Sequence, residues 1–421
     1  MARNRNDCDT DQAAKPLSVE DALAVLLEQA PTLQQTETVS TAEARNRVLA
    51  EPLSSRVDLP CWDNSAMDGY AVRYADLQSS DGCLRIGQRI AAGRCGEPLA
   101  AGSAARIFTG APVPENADTV VVQEVCESDG DRLIIAAEVL ETIQPGANIR
   151  RGGEELRAGD RVLAAGTRLG AQHLALAASV GVEALRVYRR PRVAIFASGD
   201  ELVMPGTPLT PGKIYNSNRF LYRALLETLG CEIIDLGIIE DNLDATVRAL
   251  RSGAEQADLV LASGGVSVGE EDHVRPAVQQ LGSLDLWRVA MRPGKPLAFG
   301  RIGDTPFIGS PGNPVSLFVT FCLFARPFIQ RMQGVSGDLT PISVRARAGF
   351  DWPKPDKRRE YQRARLQRAA DGEPVVQVFP SRSSAALSSL TWANGLVVIP
   401  EGQSIRAGEK VDFIPMSELT A

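Results

Sequence analysis

At 421 residues the chain is longer than one ordinary hydrophobic core organises, so roughly two to four domains are expected. Hydrophobic residues at 44% and charged residues at 23% fit a soluble globular protein, and a net charge of -7 argues against the basic footprint of nucleic-acid binding. With only His173 and His273 a multi-histidine metal centre is excluded. Seven cysteines without a C-x-x-C pair favour reduced thiols and a cytoplasmic location over a disulfide framework or structural zinc.

Residues 1–16 are polar, lack the apolar stretch of a signal peptide and read as a disordered tail. Ser18 then starts a helix through a near capping box with Asp21, and Leu23, Leu26 and Leu27 form its apolar stripe before Pro31. A second short helix is expected over Thr41–Leu49. Between residues 59 and 150, short apolar runs such as TVVVQEV (119–125) alternate with Gly/Pro turns and predict β structure. A helix is expected over 170–181, with Gly181 ending it. Residues 191–333 alternate strands (192–198, 231–239, 258–263, 286–291, 296–300, 305–309) with helices, the last a long apolar one over 314–332. No apolar run reaches the roughly 18 residues that span a bilayer, so no membrane partner is expected. The alternation implies βαβ units and a mostly parallel, doubly wound sheet. PVVQVF (374–379) and GLVVIP (395–400) predict a small all-β module at the end. The expected architecture is thus an α/β central domain with α+β N-terminal, β-rich inserted and all-β C-terminal domains. Their bounds are 17–58 plus 151–190 (a linking and dimer domain), 59–150 (the insert), 191–338 (α/β) and 339–421 (barrel-like).

In an open α/β sheet, ligands sit outside the carboxyl ends of the strands. Four loops fall there: SGDEL (198–202), EDN (240–242), SGGVSVGEED (263–272) and SPGNPVS (310–316). In the third, Gly264, Gly265 and Gly269 allow close backbone approach, Ser263 and Ser267 add hydroxyls, and the following helix N-terminus favours an anion. A glycine-rich loop alone equally fits a tight turn needing φ > 0. Glu201, Asp241 and Asp272 each follow a different strand, so the fold brings three carboxylates together. A carboxylate facing a phosphate costs roughly 4 kcal/mol per close pair at an effective dielectric of 20, so an intervening cation is expected, and oxygen-only ligands select Mg²⁺. MRPGKP (291–296) offers Arg292 and Lys295 on a proline-stiffened segment. In SPGNP, Pro311 and Pro314 bracket Gly312 and Asn313 ahead of a helix. Outside this region, Asp63 and Asp68 of CWDNSAMDGYAV, joined by Thr109 of TGAP, are candidates to reach across a cleft.

DNSAMDGYAV, RIFTGAPVPENADTVVVQE, NIRRGGEEL, SGDEL, NSN, LGIIEDN, SGGVSVGEED, RPGKPLAFG and SPGNPVS occur in this order over about residues 15–415. Together they resemble the molybdopterin molybdenumtransferase family, which includes bacterial MoeA and the gephyrin E domain. The resemblance implies an elongated four-part subunit that forms a homodimer, its active cleft lying between the central domain and parts of the partner subunit. It also implies a reaction in which molybdate and adenylylated molybdopterin give AMP and a dithiolene-bound metal, assisted by Mg²⁺. The adenylyltransferase that makes the substrate and downstream cofactor-processing proteins are the implied protein partners. Carried over by position, Asp68, Thr109, Glu201, Asp241 and Asp272 take the family's functional acid and threonine places. Pro311, Pro314 and Lys295 match its loop prolines and lysine, and Ser384 a substrate-site serine. Arg288 and Arg292 stand where lysine is usual, and Glu155 where Asp is usual.

The expected mechanism has Glu201, Asp241 and Asp272 holding Mg²⁺ on the pyrophosphate, and Lys295 neutralising charge on the leaving AMP. Arg288, Arg292 and the 311–314 turn would hold molybdate. Three rival readings remain: a molybdopterin adenylyltransferase, a non-catalytic molybdopterin-binding scaffold, and an amidase sharing only the central domain. The first usually carries GGTG where this chain has GGVS, the intact acids argue against the second, and the third leaves residues 59–150 unexplained.

Overall fold

Ser18 sets the first helix, its hydroxyl accepting the Asp21 N–H at 3.0 Å. That helix, α1 (Val19–Glu28), buries Val19, Ala22, Leu23 and Leu26, the spacing of one helical face. The helix expected over Thr41–Leu49 does not form. A single 3₁₀ turn, Thr41–Glu43, stands there, and Asn46 at φ 63° leaves the helical region. The Thr41 hydroxyl donates instead to the Val182 carbonyl at 2.7 Å.

The computed structural model describes residues 16–265, 273–294 and 296–420, which divide into two compact units. The smaller comprises residues 38–45 and 51–186. Its centre is a six-stranded sheet of β1 (Gly69–Val72), β2 (Cys83–Ile90), β3 (Ser103–Ile107), β4 (Thr119–Val122), β5 (Glu127–Asp129) and β6 (Arg132–Ile134), in the order β4-β1-β3-β2-β6-β5. Strand β1 is buried on both faces: Tyr70 and Val72 pack with Leu84, Val121 and Leu133, while Ala71 packs with Ile90, Ile107 and Val120. Gly69 cannot be larger, because a Cβ there would lie 2.0 Å from the Val121 carbonyl oxygen. This unit also holds α2 (Ala171–Ser179), followed by Gly181 at φ 77° as expected of a C′ residue.

The larger unit is built on residues 187–420 with segments 16–37 and 46–50. Its α/β sheet contains β7 (Arg192–Ser198), β10 (Glu232–Ile239), β11 (Leu259–Ser263), β12 (Gly282–Arg288), β14 (Pro296–Ile302) and β15 (Thr305–Ser310). Between β7 and β10 come the short strands β8 (Leu202–Val203) and β9 (Ile214–Tyr215) and helix α3 (Asn218–Thr228). Helix α4 (Leu243–Gln256) follows β10, and α5 (Val274–Leu281) leads into β12. The strand order is β10-β7-β11-β15-β14-β12; the first four run parallel and the last two are antiparallel additions at one edge. Strands with near-continuous apolar runs, such as Val193–Ala197, are covered on both faces, as a doubly wound sheet requires. Pro314–Met332 forms a continuous helical rod of α6 (Pro314–Thr320), a π-helical turn Phe321–Ala325 and α7 (Arg326–Met332). It is long and apolar enough to span a bilayer, contrary to the expectation of no such run. Yet 94% of its most apolar window is buried within the protein, which makes it a core helix.

One expected strand, 286–291, divides in two. β12 ends at Arg288, and Met291–Arg292 form a separate strand, β13, which pairs in parallel with β17 (Arg359–Arg368). β17 belongs to the C-terminal module with β16 (Val344–Ala348), β18 (Pro374–Val378), β19 (Gly395–Ile399) and β20 (Lys410–Pro415). The order β13-β17-β18-β16-β20-β19, closed by pairing of β19 with β17, is a five-stranded barrel with β13 alongside. Ala346, Ala364, Val376, Val397 and Phe413 fill it.

Candidate functional site

The loops at the carboxyl ends of β7, β11 and β15 line one cleft of about 530 Å³. Ser198, Glu201, Ser263, Gly264, Gly265, Pro311, Gly312 and Asn313 face it together, so sequence-predicted residues from three separate loops converge. Their backbones are tied: the Gly264 N–H donates to the Ser310 carbonyl at 3.1 Å. Gly264 (φ 86°) and Gly265 (φ 65°) adopt the left-handed conformation. A Cβ on Gly264 would meet the Ser198 carbonyl oxygen at 3.1 Å, and one on Gly265 would lie 2.5 Å from the Val274 side chain. These glycines therefore serve both the turn and the close packing of two loops.

Asp241, just past β10, joins this group through a hydrogen bond: the Ser198 hydroxyl donates to its Oδ1 at 2.9 Å. Glu201 is exposed on the cleft wall, and among the described residues its carboxylate has no hydrogen-bond or ion-pair partner. Ser267, Gly269, Asp272 and Lys295 lie outside the described residues. Among the described residues no three His, Cys, Asp or Glu form a cluster that could cage a metal. Glu201 and Asp241 nevertheless supply hard oxygen donors, and Mg²⁺ is commonly held by one or two carboxylates completed by substrate phosphates and water. Oxygen donors of this kind fit a hard divalent cation such as Mg²⁺.

Several cleft residues had no role assigned from sequence. Asn218, at the start of α3, donates through Nδ2 to the Gly312 carbonyl at 2.7 Å, while its Oδ1 is buried without a partner among the described residues. Ser198 anchors Asp241, and Gly294 (φ 99°) lines the cleft just before Lys295. Asn218 falls within the NSN motif, but an asparagine at a helix start ordinarily reads as a cap, so its contact across 94 residues left no local signal.

The remaining candidates lie around the cleft at varying remove. Pro314 is the first residue of α6, where its missing N–H costs nothing. Arg288 ends β12 opposite Pro296, at the same end of the sheet as the cleft but on its edge strand. Arg292 is not free: its guanidinium meets Asp356 of the barrel at 3.3 Å. Arg358 also pairs with Asp356 at 2.9 Å. The Arg358 fork, Arg292 and the Arg358 N–H together outweigh burial and hold the Asp356 carboxyl well below the usual range. Ser384 reaches the site through its backbone, its carbonyl accepting the Val315 N–H at 3.0 Å.

In the smaller unit, Asp68 and Thr109 are brought together as expected. One Asp68 oxygen accepts both the Thr109 N–H and the Thr109 hydroxyl, each at 2.8 Å. Those two bonds, with Arg106 nearby, lower the Asp68 pKa. Asp63 departs from its expected role of reaching across a cleft. Its carboxylate accepts the Gly152 N–H at 2.8 Å and an Arg151 guanidinium N–H at 2.6 Å, fastening two segments of its own unit. Glu155 is exposed in that same segment.

A glycine-rich cleft at the carboxyl ends of a doubly wound sheet, carried in a larger multidomain chain, defines an α/β protein with a ligand site at its strand ends. Residues 194–331 match the family described as a probable molybdopterin binding domain. Residues 17–181 match the MoeA N-terminal region (domain I and II), and residues 345–416 the MoeA C-terminal region (domain IV). The molybdopterin molybdenumtransferase of Haemophilus influenzae is 39% identical over 404 residues, covering 96% of this chain and 99% of that protein. That of a Nostoc species is 38% identical over 409 residues, covering 94% and 92%. A crystal structure of the molybdopterin biosynthesis MoeA protein from Pyrococcus horikoshii aligns with a TM-score of 0.80 at 28% identity, covering 95% of this chain and 100% of that one. The chain belongs to the molybdopterin molybdenumtransferase family and is a transferase of molybdenum cofactor biosynthesis.

Proposed function

We propose that the cleft inserts molybdenum from molybdate into adenylylated molybdopterin, cleaving the pyrophosphate bond and releasing AMP. The observation that carries this reading is the convergence of Glu201, Ser263–Gly265 and Pro311–Asn313 on one cleft, with Asp241 hydrogen-bonded to Ser198 at its rim. Backbone turns at Gly264, Gly265 and Gly312 admit phosphate oxygens closely. Glu201 and Asp241, with Asp272, would hold Mg²⁺, which when bound neutralises charge on the pyrophosphate. Asn218 keeps the 311–313 turn in place and offers its unpartnered Oδ1 to a substrate donor. Ser263 and Ser267 add hydroxyl donors, and Gly269 belongs to the same phosphate-binding segment.

Lys295 takes charge developing on the leaving AMP, while Arg288 and Arg292 attract the molybdate anion with Pro311 and Pro314 stiffening the turn beside it. Arg292 meets that anion already oriented by Asp356. Ser384 contacts the substrate from the barrel side. Asp68 and Thr109 serve the same reaction, the threonine hydroxyl fixing the carboxylate's orientation. The functional assembly is a homodimer in the cytoplasm, supplied by an adenylyltransferase and followed by cofactor-processing proteins. Within it, residues 17–58 with 151–190, 59–150, 191–338 and 339–421 act as four domains.

The test incubates purified protein with adenylylated pterin, Mg²⁺ and molybdate, and quantifies AMP and pterin-bound metal. One AMP released per metal bound to the pterin is expected, without ATP. ATP consumption with pterin dithiolene would instead identify an adenylyltransferase, and binding without AMP release a scaffold.

A further inference from the structure

The serine-rich loop Ser381–Ser384 of the C-terminal module meets the start of α6 beside the cleft, and a charge pair with one fully buried partner governs that loop. Glu360, in β17, is fully buried, yet its two carboxylate oxygens accept from Arg382 Nη2 at 2.6 and 2.7 Å. Trp352 Nε1 donates to the same carboxylate at 3.0 Å and Gln362 Nε2 at 2.9 Å. The Arg382 guanidinium lies 4.2 Å over the Trp352 ring, and its buried Nε has no partner among the described residues. Beneath the same loop, the Arg363 guanidinium donates to the Ser381 carbonyl at 2.7 Å and to the Ser383 carbonyl at 3.1 Å. The pair contributes little net stability but strongly restricts geometry, because the fully buried Glu360 without the half-buried Arg382 would be an uncompensated buried charge.

The pair occupies a junction. The backbone of Glu360 is the register partner of Arg292, two residues before cleft-lining Gly294. Its side chain grips Arg382, two residues before Ser384, whose carbonyl accepts the Val315 N–H at the start of α6. One residue thus ties together both segments through which the barrel approaches the cleft. We infer that Glu360 is a positioning residue: by clamping Arg382 against Trp352 it seats the Ser381–Ser384 loop on the α6 start and aims Ser384 at the substrate. This rests on the reading of Ser384 as a substrate contact, so the experiment treats the two separately.

Full-length protein carrying Glu360→Gln, Arg382→Lys or Ser384→Ala is assayed for KM and kcat with adenylylated pterin, and for hydrogen exchange at the Val315 amide. Glu360→Gln should raise KM about tenfold with kcat little changed, the loss expected when a charge-assisted hydrogen bond no longer holds a ground-state contact. It should also speed Val315 exchange. Arg382→Lys keeps the charge without the planar guanidinium or its ring stacking, so a smaller change in the same direction is expected on both measures, and it serves if Glu360→Gln does not fold. Ser384→Ala, which keeps the carbonyl, should raise KM while leaving Val315 exchange as in wild type. If Ser384→Ala impairs binding but the two clamp variants leave KM and Val315 exchange unaltered, the positioning role is wrong. If Ser384→Ala itself binds as wild type, the Ser384 contact is wrong and the clamp has no substrate role.

Discussion

Asp241 and Ser198 are 43 residues apart in the chain and 2.9 Å apart in space. The hydroxyl orients the carboxylate and leaves its other oxygen free of the serine. Ser198→Ala should lower kcat/KM by about tenfold, the weight of one hydrogen bond to a charged group, with little change in melting temperature. Asp241→Asn, which removes the charge itself, should cost about 10² or more in metal insertion while AMP-substrate binding survives more fully. Gly264→Ala addresses the backbone instead. A methyl at φ 86° and 3.1 Å from the Ser198 carbonyl strains the turn by about 1–2 kcal/mol, measurable by chemical denaturation, and should depress insertion more than stability. The loops were visible as segments at strand ends, the one holding Gly264 as a glycine-rich turn. That Ser198 serves Asp241 was not, because a serine after a strand has many local uses.

Helix α4 shows how an element transmits order to the site. Asn242 caps it, its side chain accepting the Ala245 N–H at 2.8 Å, and Asn242 directly follows Asp241. Asn242→Ala should cost about 1 kcal/mol of stability through the lost cap. Because the cap also fixes the residue beside it, kcat/KM should fall with the melting temperature, whereas a cap distant from the cleft would lower only the latter. A helix here was legible in the alternation of strands with helices over residues 191–333. The helix expected over Thr41–Leu49 is absent because Thr41 bonds to Val182, a partner 141 positions away that no local window contains. Likewise β13, two residues long, is a strand only because β17 pairs with it.

At the scale of the molecule, Arg189 and Asp258 join the entry into β7 to the entry into β11 by a two-pronged bridge of 2.7 Å bonds, with the Arg192 N–H adding a third. Burial alone would raise the Asp258 carboxyl, but the Arg189 fork and the Arg192 N–H more than offset it, so its pKa is lowered in the folded state. A depressed carboxyl contributes stability above its unfolded value of about 4, and that contribution is lost as pH falls through the lower folded value. Asp258→Asn should therefore cost about 2 kcal/mol at pH 7, and the gap to wild type should close in acid; urea titrations from pH 7 to 3 check this. The proposed homodimer predicts twice the chain mass in light scattering.

The ordered motifs, the βαβ alternation and the strand-end loops were set by the sequence alone, because period, glycine placement and turn chemistry act over a few residues. Family membership follows from the same motifs, taken in order across the chain. Tertiary structure alone decided that Asp63 is occupied by Arg151, that Arg292 answers to Asp356, that Asn218 braces Gly312, and that Glu360 joins two approaches to the cleft. Each of these is a contact between groups far apart in the chain. Charge and hydrogen bonding choose their partners by distance in space, and only folding sets that distance.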